Sequence, residues 1–163
     1  MKLTESFDYP GTTVESVYAI ITDQAFRDDA ADADGAIEKE ITVEPNDKGG
    51  ETVTVIRTQP ADMPDFIKKL TGETVKVKQT EVWSGPAADG SRSADIKVKI
   101  IGQPAEMTGT AKLTDQGSSA KFDVNGDVKV SIPFIGKKIE PEIHKAITSS
   151  LRHEVELGVK RLA

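Results

Sequence analysis

The chain has 163 residues, no cysteine and a formal net charge of −6. One domain over residues 1–163 is expected, because a chain of this length buries roughly 70% of its unfolded surface without a staple; thiol catalysis, thiolate metal sites and disulfides are excluded. Lysines and acids are interleaved instead of blocked, which makes nucleic acid and an anionic membrane surface poor expected partners.

Leu3, Glu5, Phe7 and Tyr9 alternate with Lys2, Thr4, Ser6 and Asp8, a period of two that predicts a first strand with one sheltered face. This stretch holds no uninterrupted apolar run of the kind a leader carries, and no later run approaches a membrane span, so the cytoplasm is the expected location. Pro10-Gly11 ends the strand. Thr12 and Glu15 stand at capping-box spacing for a helix with the apolar stripe Val14, Val17, Tyr18 and Ile21. Asp23 permits a break before a second short helix, Gln24 to about Ala33.

Period two returns after Gly35. Ile37, Ile41 and Val43 predict a second strand, closed by the turn-rich run Pro45 to Gly50. Val53, Val55 and Arg57 share one face of a third. The segment Pro60–Gly72 is long for a hairpin loop, and Phe66, Ile67 and Leu70 predict a helical turn inside it. Val75, Val77, Gln79, Glu81 and Trp83 share a face of the fourth strand; Ile96, Val98 and Ile100 mark the fifth, and Met107, Gly109, Ala111 and Leu113 the sixth. The cleanest alternation runs from Ala120 to Ile132. Asn125-Gly126 within it suits a type I′ hairpin turn, but either reading keeps one face inward, and we read one long strand with a bend or bulge at Gly126. Alternation in nearly every strand means one wet face and antiparallel pairing. A helix from about Lys138 to Leu162, roughly 35 Å long, closes the chain.

On a helical wheel, Ile139, Ile143, Ala146, Ile147, Ser150, Leu151, Val155, Leu157, Gly158 and Leu162 occupy about half of that helix's circumference. Ala146, Ser150 and Gly158 are small, and small residues facing a curved sheet leave volume unfilled; the opposite outcome is close, void-free packing. Glu154 lies inside the apolar arc and His144 at its edge. A carboxylate facing an interior is costly unless paired. Glu154 therefore reads as a polar anchor for a ligand, with Arg57, Gln79 or Glu81, or as part of an ion pair with Arg57 or Arg161, or as a rim group open to water.

The element order resembles the helix-grip superfamily of START-related lipid-transfer, Bet v 1-like pollen-allergen and polyketide-cyclase-like (SRPBCC) proteins. Thr13 to Arg27, TVESVYAIITDQAFR, looks like the opening helix motif of that group. Asn125 to Glu140, NGDVKVSIPFIGKKIE, looks like the strand-to-helix junction of the domain-of-unknown-function 2505 family, a bacterial branch. The resemblance spans essentially the whole chain. It implies an α+β fold with two short helices after the first strand and a seven-stranded curved antiparallel sheet wrapped around the long C-terminal helix, with a hydrophobic pocket between them. Members of the superfamily carry lipids, sterols, polyketides or plant hormones, and some catalyse cyclisation or dehydration. Pro141 is a departure, since proline is tolerated only in a first helical turn; the helix starts near Lys138 or bends there.

Candidate cavity residues are Phe7, Val55, Arg57, Phe66, Gln79, Glu81, Trp83, Val98, Met107, Phe122, Phe134, Ile143, Ile147, Ser150 and Glu154. No catalytic residue, metal or cofactor is expected. His144 and His153 fall on opposite sides of the last helix and cannot share a metal. Aligning Gly35 with the glycine of a calcium loop puts Ala30 at the first ligand and Ile41 at the bidentate position, so that match fails. Nucleophile-elbow, Walker and dinucleotide motifs do not occur. Three readings remain: a carrier or sensor of a small hydrophobic molecule, lipid- or polyketide-like; a cyclase or dehydratase in the same cavity, with Glu81 and Glu154 as its one interior carboxylate pair; and a protein-interaction module using a sheet edge or the Pro60–Gly72 segment.

Overall fold

The computed structural model describes residues 1–163. In chain order the elements are β1 (Lys2–Pro10), α1 (Val14–Ile21), α2 (Gln24–Ala33), β2 (Glu38–Pro45), β3 (Gly49–Pro60), α3 (Asp65–Thr71), β4 (Thr74–Ser84), β5 (Arg92–Ile100), β6 (Ala105–Asp115), β7 (Ser119–Val130) and α4 (Gly136–Leu162). The seven strands form one antiparallel sheet in the order β1-β7-β6-β5-β4-β3-β2. Strands β2 to β7 are sequential neighbours, while α1 and α2 carry the chain from β1 at one edge to β2 at the other.

Local chemistry sets the boundaries, with some departures from expectation. The cap of α1 is Thr13, whose Oγ1 accepts the Ser16 N–H at 3.2 Å. The expected Thr12–Glu15 box does not form, because Asp115 already takes the Val14 N–H at 3.2 Å and Glu15 turns to Arg92 at 2.9 Å. Asp23 caps α2 by accepting from Phe26 N at 3.3 Å. Ile37 precedes β2 and is 62% exposed, so it adds nothing to the sheltered face.

Strand β7 runs without interruption, which rules out a hairpin at Asn125-Gly126. Gly126 faces Gly109 on β6 and Leu3 on β1 in continuous register, and the sheet's register shift falls instead between Gly49 and Thr52. A Cβ on Gly109 would stand 2.1 Å from the Asn125 carbonyl oxygen, so the facing glycines permit a backbone approach that no other pair would.

Helix α4 starts at Gly136, two residues before Lys138, and Pro141 sits in its second turn. A Cβ at Gly136 would lie 2.3 Å from the Val130 carbonyl oxygen, so only glycine lets the helix begin this close to β7. The inward strand faces and the apolar stripes of α1 and α4 merge into one contiguous core, with Leu3, Tyr9, Phe26 and Trp83 at its centre.

Candidate functional site

The site follows from how α4 lies on the sheet. Its backbone comes close to β7, β1, α1 and α2 and stays further from β3 to β6. Gly158 makes the close side possible: a Cβ there would meet Tyr9 Cε1 at 2.8 Å and Ile20 Cδ1 at 3.1 Å. Gly158 therefore leaves no volume, contrary to expectation, whereas Ala146 and Ser150 do face open space.

The gap over β3 to β6 holds two small cavities of about 40 and 50 Å³. Arg57, Val98, Met107 and Ile147 line both and form the partition between them. Outside lies an open, mostly polar groove of about 530 Å³ between α4 and the chain around Pro60, meeting the first cavity at Asp34 and Ser150 and the second at Gln59, Met63 and Ala146. Either cavity holds a few waters; a ligand pocket is roughly 300 Å³ or more. In this conformation the interior is divided and mostly filled.

The floor of the first cavity is ionic. Arg27 from α2 reaches Glu81 on β4 with Nη2 at 2.5 Å and Glu154 on α4 with Nη1 at 3.0 Å. Glu81 also accepts from Gln79 Nε2 at 2.7 Å and Trp83 Nε1 at 3.0 Å. Burial, then Glu81 and Asp34, push the Glu154 carboxyl up to about 7 against the pull of Arg27 and Arg57. Burial alone would lower the Arg27 guanidinium, but Glu154 and Glu81 raise it, so it stays charged. The Tyr9 phenol is buried beside this group with no hydrogen-bond partner, and burial and Glu154 hold it protonated.

Arg57 occupies a different position. Its Nε donates to Gln59 Oε1 at 2.8 Å and its Nη2 to Ser150 Oγ at 3.2 Å; the nearest carboxylate oxygen, on Asp34, is 3.8 Å away. Asp34 is held by the Ser150 hydroxyl and by His153 Nδ1 at 2.9 Å. Burial lowers the Arg57 guanidinium despite Asp34, as expected for a cation that is only loosely compensated.

Of the sequence candidates, Val55, Arg57, Gln79, Glu81, Val98, Met107, Phe122, Ile147, Ser150 and Glu154 line the first cavity, and Ile143 the second. Four stand elsewhere. Trp83 is fully buried behind the wall, edge-on to Tyr18 at 5.7 Å. Phe7 is half-buried and stacks on Phe122 at 6.4 Å. Phe66 projects from α3, 42% exposed, because Ile67 is the residue that α3 turns inward. Phe134 is fully exposed, its backbone at φ 69° aiming it away from the core.

The ion pair expected between Glu154 and Arg57 or Arg161 does not form: Arg27 takes Glu154, and Arg161 goes to Asp29 at 2.6 Å. Sequence reasoning missed Arg27 altogether. The signal was available, since Arg27, Ala30, Ala31 and Asp34 follow i, i+3, i+4, i+7 spacing and all line the first cavity. Asp28, Asp29 and Asp32 do converge within 4.8 Å, but Lys39 reaches Asp28 and Asp32, and Arg161 reaches Asp29.

This architecture is that of the START and Bet v 1-like helix-grip proteins. Over 99% of the chain it superposes on a Thermus thermophilus protein (TM-score 0.65, 12% identity, 96% of that chain). Human STARD10 matches 98% of the chain with 63% of its own length (TM-score 0.63, 11% identity). Norcoclaurine synthase of Thalictrum flavum, solved with a transition-state analogue, matches 100% of the chain with 96% of its own (TM-score 0.62, 12% identity). The chain belongs to the family described as "Protein of unknown function (DUF2505)", whose model matches residues 4–162. Uncharacterized proteins of Mycobacterium tuberculosis and Mycobacterium bovis are 29% identical over 92 residues, 55% of this chain and 52% of theirs, so the alignment spans about half the length of these curated relatives. No helix is long and apolar enough to cross a membrane.

Proposed function

We propose that the protein binds a small, mostly apolar molecule carrying one acidic or hydrogen-bond-accepting group, between α4 and the β3–β6 part of the sheet. One observation carries the reading: Arg57, a largely buried guanidinium whose one carboxylate partner, Asp34, stands 3.8 Å away, lies at the partition of two cavities that meet one open groove. A buried cation is costly until an anion or strong acceptor meets it, and a ligand head group supplies one. Cargo enlarges the space by shifting the unbranched side chains Met63 and Met107, which line the second cavity.

Binding without turnover fits this geometry better than catalysis. The proposed acid–base pair, Glu81 and Glu154, is occupied in holding Arg27. A module that docks a partner through α3 would present Phe66, Ile67 and Leu70; Phe66 and Leu70 are each 42% exposed and Ile67 is buried, so α3 is divided between surface and core. The test is displacement of an environment-sensitive naphthalenesulfonate dye by medium-chain fatty acids and by the matching alcohols. The acids displace it more strongly from the native protein, and Arg57→Leu brings acid and alcohol within about twofold of each other. Equal displacement by both classes from the native protein would reject Arg57 as the anchor.

A further inference from the structure

At the end of the molecule where α3, the β5–β6 turn and the β7–α4 junction converge, the surface carries large apolar side chains. The three segments meet around a small apolar cavity of about 20 Å³ lined by Ile67, Leu70, Ile100, Ile132, Ile139 and Ile143 among others, and Gln103 Nε2 ties the turn to the Leu70 carbonyl at 3.1 Å. Above that buried layer, Leu70 is 42%, Ile101 43% and Phe134 102% exposed. Phe134 is the chain's one non-glycine residue at positive φ, between Pro133 and the immovable Gly136. The side chain of a phenylalanine held outward at a strained backbone angle buries nothing within the fold, and strain of that kind points to a use outside it.

The same end gathers cations. Lys68 and Lys69 lie on α3, Lys137 and Lys138 on the first turn of α4, and Lys99 and Lys129 beside the β5–β6 turn. The lysines that form ion pairs in this structure are Lys39, Lys48, Lys97 and Lys121, none of these six. Asp65, Glu73, Glu106, Glu140 and Glu142 share the region; Glu106 is drawn to Lys97 at 3.6 Å, and Glu140 accepts from Val130 N at 3.1 Å and pairs with the N-terminal amine at 3.5 Å. In a chain of net charge −6 this is a local gathering of lysines that form no ion pair, which the interleaved sequence conceals because the fold brings the lysines of separate elements together.

We propose that this end docks on an anionic lipid surface, Phe134, Leu70 and Ile101 entering the interface and the lysines meeting the head groups. Exposed apolar residues ringed by lysine match such a surface in both its parts. The inference goes beyond the cargo reading and does not depend on it, since docking requires no occupied cavity.

Co-sedimentation with phosphatidylcholine vesicles containing about 30% phosphatidylglycerol tests it, against phosphatidylcholine alone. The protein sediments with the anionic vesicles at low salt and is released as salt rises. Phe134→Asn, which suits the left-handed backbone, lowers partitioning about tenfold, and Lys137→Gln with Lys138→Gln does so by a similar factor. Absence of sedimentation at low salt, or equal sedimentation of the Phe134→Asn variant, overturns the proposal. So does a dimer in lipid-free sedimentation velocity that Phe134→Asn dissociates, which would give the patch to a second copy of the chain. Dye displacement is unchanged in the Phe134 variant, so failure of docking and failure of cargo binding are separable.

Discussion

Two carboxylates share one guanidinium at the floor of the first cavity, and the excess negative charge has a consequence that pH reveals. With the Glu154 carboxyl raised from its ordinary 4.5 to about 7, the folded chain binds more protons than the unfolded one between those values. Its contribution to stability is therefore fully present below 4.5, falls as pH rises and is gone above about 7. The expected outcome is that Glu154→Gln flattens the pH dependence of the melting temperature between about pH 5 and 7.5 by several °C, and leaves stability at pH 8 unchanged or higher. Arg27→Met has the opposite effect, stranding two buried carboxylates at a cost of about 3–5 kcal/mol. Parallel melting curves for wild type and Glu154→Gln across that range would show that Glu154 stays ionised throughout. The triad was half legible beforehand. Glu154 and Glu81 stood out as polar residues at inward-facing positions, but Arg27 lies among the acids of α2 and looks solvated unless its spacing to Ala31 and Asp34 is followed.

The strands were easy to read because burial alternates along them as the sequence does; on β7, Ala120, Phe122, Val124, Val128 and Val130 are all buried. Contacts that depend on another element were not. Whether Thr12 or Thr13 caps α1 depends on Asp115, about a hundred residues away, and where α4 starts depends on the approach of Gly136 to Val130. Pro141 is the local oddity of α4, exposed and one turn too deep to be neutral. Its ring denies the Lys137 carbonyl the hydrogen bond that any other residue at 141 would give. Pro141→Ala restores that bond and gains about 3 kcal/mol of helix propensity, less about 1 kcal/mol for the freer unfolded chain. Urea unfolding is expected to show a net gain of roughly 1–2 kcal/mol. A lower midpoint would mean that the proline sets the exit from β7, and that the Ile132–Gly136 junction needs it.

On the scale of the molecule, α4 acts as a wedge, seated on β1 and β7 and raised over β3 to β6. The hydrophobic arc of α4 announced a broad interface, but not on which side it would be tight. That depends on pairs such as Gly158 with Tyr9, where a missing side chain meets a large one and the volume cancels. At Ala146 no such partner arrives, and the space remains as cavity and groove. Ala146→Phe therefore separates fold from cargo. The added ring enters the 50 Å³ cavity and the adjoining groove, leaving the contact at Gly158 untouched. Stability is expected to change by less than about 1.5 kcal/mol, because the ring fills space in place of displacing a packed neighbour. Dye affinity falls at least about tenfold if the cargo lies between α4 and β3–β6. Unchanged affinity in a folded Ala146→Phe protein would move the binding site to the other side of the wedge, where Gly158 and Tyr9 leave nothing room to bind, and the carrier reading would fail with it.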